Sequence, residues 1–172
     1  TVEVWLEQGR RHQQAGRLLE AEAAYRQALD LSPQHAEALH LLGLVSYRQQ
    51  RLSDALEYLH AAVEQQASSP VYWFNLGVVS QRAGRTQDAV DAYAKAVALN
   101  PRYSEAYGNL GNVLRDTGDL SGAVGAYQQA LAINPAQAST PPKTAAAAQT
   151  EIRLKAETPC TTTSLRCSGC FR

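Results

Sequence analysis

Apolar and polar residues alternate along most of the chain with the spacing of amphipathic helices, in short stretches separated by glycine or proline. This pattern recurs with a fixed period. Gly9, Gly43, Gly77 and Gly111 lie 34 residues apart, as do Ala21, Ala55, Ala89 and Ala123, and again Ala28, Ala62, Ala96 and Ala130. Trp5, Leu39, Trp73 and Tyr107 place a large side chain four residues before each of those glycines. The repetition predicts four units, 2–35, 36–69, 70–103 and 104–137, with a small side chain at positions 8, 20 and 27 of every unit.

Each unit reads as two helices. The first apolar-periodic segment breaks near position 15, at Gly16, Gly84 and Gly118 but at Gln50 in the second unit, and the next segment ends before Pro33, Pro101 or Pro135. Between the second and third units Ala67 replaces the expected proline. There Ser69 as N-cap and Pro70 at the first helical position restore the boundary. Paired helices approach closely only where side chains are small, so the glycine at position 8 and the alanines at 20 and 27 have a steric role. In the first unit Gln8 stands where every later unit carries leucine, and with Glu7 and His12 beside it this predicts a wet outer side. After residue 137 the pattern stops. Residues 138–143 read as a proline-bearing linker, 144–157 as a short helix covering the last repeat, and 158–172 as a disordered tail.

The arrangement of Trp or Leu, Leu-Gly, Ala, Tyr, Ala and Pro over 34 residues resembles the tetratricopeptide repeat family. The resemblance implies an all-α fold: a right-handed superhelical solenoid of four helix-turn-helix repeats with a C-terminal capping helix. It also implies that the first helices line a concave groove for peptides or partner helices.

Composition narrows the function. Sixteen Lys and Arg balance sixteen Asp and Glu, which disfavours a nucleic-acid partner, and no apolar run is long enough to span a bilayer. The three cysteines, Cys160, Cys167 and Cys170, fall in the last thirteen residues, so disulfides do not hold the repeats together and a cytoplasmic, reducing location is expected. Cys167-Ser-Gly-Cys170 has metal-ligand spacing, but the tail supplies no fourth ligand, so free thiols and no metal are expected. No phosphate loop, nucleophile elbow or HExxH motif is present, and the scattered His12, His35, His40 and His60 read as surface or boundary residues. A protein without catalytic chemistry or cofactor is expected.

Helix geometry assigns the groove. Positions 4, 7, 8 and 11 of each first helix share the packing stripe, and 2, 5, 9, 12 and 13 lie opposite. The free stripe carries His40, Leu44, Tyr47 and Arg48, then Phe74, Val78, Gln81 and Arg82, then Asn112 and Arg115. An apolar strip rimmed by arginines suits a peptide with acidic residues; the alternative is that neighbouring repeats cover these side chains. Position 6 adds Asn75 and Asn109, whose carboxamides can bond a peptide backbone. Glu105 to Val113, EAYGNLGNV, is similar to the repeats preceding the catalytic region of O-linked N-acetylglucosamine transferases, where this asparagine is implied to hold the substrate main chain. Glu7 and Leu41 occupy the same place in the earlier repeats. The carboxylate clamp for chaperone C-termini is not matched: its places hold Leu6, Arg10, Leu41, Val71 and Asn75 in one register, and His40, Leu44, Asn75, Glu105 and Asn109 in the other. The leading reading is a binding scaffold for a protein or peptide partner. The second is the substrate-recruiting portion of such a transferase, and the third is self-association through unpaired terminal repeats.

Overall fold

The computed structural model describes residues 1–135, which form eight α-helices and no strand. The linker (138–143), the capping helix (144–157), the tail (158–172) and its cysteines lie outside the described residues. The first helices of the repeats are α1 (Val2–Gln14), α3 (Ala36–Arg48), α5 (Pro70–Arg82) and α7 (Ser104–Asp116). The second helices are α2 (Leu18–Leu31), α4 (Leu52–Gln65), α6 (Thr86–Leu99) and α8 (Leu120–Ile133). Corresponding helices start 34 residues apart, so the sequence period is also the structural one.

The small residues do what their size suggests. A Cβ on Gly9, Gly77 or Gly111 would stand 2.3, 2.7 or 2.6 Å from the ring of Tyr25, Tyr93 or Tyr127, and on Gly43 2.8 Å from Leu59. Those four large residues occupy the same position of the facing helix, so each hairpin closes by seating one large side chain against a bare backbone. Ala21, Ala55, Ala89 and Ala123 are fully buried beside them.

The first helix of every repeat ends in the same way. After its last turn the N–H two residues beyond the C-cap returns to a carbonyl five residues back: Arg17 to His12, Arg51 to Ser46, Arg85 to Ser80 and Asp119 to Leu114, at 2.9, 3.0, 2.9 and 2.9 Å. This closure places one residue at positive φ, filled by Gly16 (74°), Gly84 (74°) and Gly118 (88°). In the second repeat Gln50 takes it at 63°, the only such non-glycine among the described residues. At the junction without proline, Ser69 is the N-cap residue and Pro70 the first helical one, but the Ser69 side chain makes no capping bond. The Trp73 indole N–H instead donates to Ala67 O at 2.8 Å, tying down the turn that proline stiffens elsewhere.

No repeat owns its core. Leu6, Ala21, Tyr25 and Ala28 of the first repeat form one cluster with Ala38, Leu42 and Val45 of α3. Ala55, Leu56, Leu59 and Val63 do the same with Leu76 and Val79 of α5, and Ala89 and Tyr93 with Val113 of α7. Each hairpin therefore covers its apolar face with the next first helix, and the result is a solenoid. Gln8 is exposed at the outer end, where Leu76 of the third repeat is 2% exposed.

Candidate functional site

The first helices of the first three repeats are linked directly along one side of the stack. α3 touches α5 as well as its hairpin partner. Arg10 of α1 bonds Glu37 of α3, and Asn75 of α5 bonds His40 of α3. Arg48 and Arg82 occupy the last turn of α3 and α5, exposed and without an ion-pair partner among the described residues. A cation there also complements the carbonyl end of its helix. Arg115 is half-buried and bonds Asp116.

The apolar strip is partly covered. Phe74 is half-buried, its ring 5.8 Å from that of Tyr93 and 4.9 Å from that of Tyr103. Val78 packs with it against Tyr93 and Val113, Tyr47 packs against the core shared by the second and third repeats, and Leu44 is half-buried. The strip thus has a floor rooted in the core and an edge still open to solvent.

His40 departs from the surface position expected of it. It is 7% exposed, stacked on Tyr72 with ring centroids 4.3 Å apart and 21° between planes. Asn75 Nδ2 lies 2.8 Å from its Nε2, an arrangement in which Nε2 accepts and the ring is neutral. Burial pushes the imidazole down to about 4, against a weaker opposing pull from Glu37. The cause is the next repeat: Tyr72 and Asn75 close over a histidine that lies on the outer stripe of its own helix.

The asparagines at position 6 have local partners too. Burial pushes the Tyr93 phenol up to about 12, against a weaker lowering influence of the Asn109 amide. The same hydroxyl donates to Gln81 Oε1 at 3.1 Å. Tyr25 donates to Gln13 Oε1 at 2.8 Å, and Tyr127 to Asn112 Oδ1 at 2.8 Å. Sequence reasoning missed Gln13 and Tyr103, whose relevance arises only when neighbouring elements pack. The repeated tyrosine at position 24 was the available signal for the amide contacts.

Between the first two repeats lies an open concavity of about 290 Å³ lined by Arg10, Gln13, Gln14, Leu41 and Arg48. Among the described residues there is no cluster of His, Cys, Asp or Glu suited to a metal, and no helix long and apolar enough to cross a membrane.

Stacked hairpins with a linked inner row of helices define a helical-repeat protein. The tetratricopeptide repeat model matches residues 6–70 and 72–138, and the chain belongs to that family. Similar solved structures include a MamA protein, 27% identical over 91% of this chain and 85% of that one, with a TM-score of 0.81. YrrB, described as a TPR protein with an unusual peptide-binding site, is 21% identical over 87% of this chain and 76% of its own, with a TM-score of 0.77, a likeness of fold alone. A mutant O-GlcNAc transferase from Thermobaculum terrenum is 26% identical over 76% of this chain, with a TM-score of 0.69, and only 25% of that chain is covered. No curated protein sequence matches.

Proposed function

We propose that the chain is a non-enzymatic interaction scaffold whose inner face holds a peptide segment of a protein partner. Tetratricopeptide repeat proteins characteristically serve as protein-interaction scaffolds, and YrrB carries a peptide-binding site by its description. The observation that carries the reading is the strip around Phe74. Its ring rests on Tyr93 and Tyr103 while retaining an open edge, and Arg48 and Arg82, without an ion-pair partner among the described residues, stand in the last turns of α3 and α5. Leu44, Tyr47 and Val78 continue the apolar surface, and Asn75, Asn109, Asn112 and Arg115 supply polar contacts on the same row of helices. His40 takes part as the buried post on which Tyr72 and Asn75 are seated.

The test is affinity for peptides selected on the intact chain, compared with a Phe74→Ala, Arg82→Ala variant. Weakening by roughly tenfold or more is expected, because an aromatic anchor and an arginine are typical dominant contacts. Unchanged affinity would place binding elsewhere.

The likeness to the transferase favours a second reading, in which the same face recruits substrates for a catalytic domain on the same polypeptide. A nucleotide-sugar-binding domain encoded downstream of residue 172 would support it, and an immediate stop codon would oppose it.

A further inference from the structure

Three buried tyrosines make the same kind of hydrogen bond. Tyr25, Tyr93 and Tyr127 occupy one repeat position, and each donates its hydroxyl proton to the carbonyl oxygen of an amide side chain on the first helix of its own hairpin. The acceptors are Gln13, Gln81 and Asn112. An amide whose oxygen is engaged presents its NH2 group, so the fold orients these side chains as donors. The second repeat has Leu59 in place of the tyrosine and lacks this device.

The neighbouring charges reinforce that polarity. Gln81 precedes Arg82 in sequence, and Gln13 lines the same concavity as Arg48; neither arginine has an ion-pair partner among the described residues. Two carboxylates at this side of the stack are engaged, Glu37 with Arg10 and Asp116 with Arg115. Glu105 lies at the opposite end of its helix from Asp116.

We propose that tyrosine-oriented amides at Gln13 and Gln81, with Arg48 and Arg82, form a donor-rich edge of the inner face that selects an acidic peptide segment by its carboxylates. This rests on the inner-face reading above and deepens it by naming the ligand chemistry. The tyrosines are positioning residues: buried themselves, they determine which end of each amide meets the ligand. Carboxylates accept from amide N–H groups and from guanidinium forks, whereas lysine and arginine side chains of a partner would be repelled by Arg48 and Arg82.

The experiment is selection of a random peptide library on the intact chain, followed by affinity measurement of the most enriched peptides and of twins with every Asp and Glu replaced by Asn and Gln. Enriched peptides should be acidic, and the neutral twins should bind about tenfold more weakly or worse. Tyr25→Phe with Tyr93→Phe keeps both rings and should narrow the gap between acidic peptides and their twins, with helicity by circular dichroism unchanged. Gln81→Glu, which replaces donors with a negative charge, should weaken acidic peptides by about tenfold and serves as the second variant if the phenylalanine pair folds poorly. Neutral or basic enriched peptides, or twins that bind equally, would overturn the donor edge. If such peptides still lose affinity in the Phe74→Ala, Arg82→Ala variant, the inner-face reading survives that failure. Peptides indifferent to that variant, or no enrichment at all, would overturn both.

Discussion

At single residues, the decisive quantity is the space left for one carbon atom. Gly77 has none, because its Cβ would meet the Tyr93 ring at 2.7 Å, and that ring is fully buried with its hydroxyl bonded to Gln81. Gly77→Ala should therefore destabilise by about 1–3 kcal/mol in urea unfolding. Gly108, also inside a helix, has nothing within 4 Å of its Cβ position. Gly108→Ala should stabilise by about 0.5–1 kcal/mol, because only the backbone entropy changes. His40 adds a pH dependence. Its folded pKa, about 4, lies below the unfolded value of about 6.5, so the unfolded chain binds more protons between those values. Stability is retained above pH 6.5 and falls as pH drops towards 4, by up to about 3 kcal/mol. Comparing thermal or urea unfolding of the native chain and His40→Phe across that window isolates this contribution: the variant's curve should be flatter, and parallel curves would contradict the assignment. The small residues were legible from periodicity alone. The burial of His40 was not, because its cover comes from Tyr72 and Asn75 of another repeat, and helical phase describes only a residue's own helix.

At the level of elements, eight helices follow from the repeat pattern, and the four closures between first and second helices are equivalent in bonding. Gln50 satisfies the geometry that glycine satisfies elsewhere, at a positive φ that costs a residue with a Cβ about 1 kcal/mol. Gln50→Gly should accordingly raise stability by about 0.5–1 kcal/mol in urea unfolding, and Gly84→Ala should lower it by a similar or larger amount. A gain from both substitutions would mean that turn conformation is not what limits these positions. The missing proline at Ala67 shows a limit of reading boundaries from sequence. Ser69-Pro70 located the next helix correctly, yet the fastening comes from Trp73, a residue already explained by its place in the repeat pattern. Similarly, candidate groove residues were legible as a stripe on each first helix, but helix phase could not reveal how far Tyr103 and Tyr93 would close around Phe74.

For the whole molecule, the shared cores mean that stability accumulates along the stack and that no hairpin is a self-sufficient unit. The frame itself is held at positions 8, 20 and 27, where a small side chain recurs in every repeat. The central claim is that the inner surface receives a peptide. Amide chemical-shift mapping by NMR, with a selected peptide titrated into the isotope-labelled chain, tests it most directly. The largest changes should cluster in the later turns of α3 and α5, around Tyr47, Arg48, Val78 and Arg82, and continue to Gln13 on α1; changes concentrated on the exposed faces of α2, α4 and α6 would contradict it.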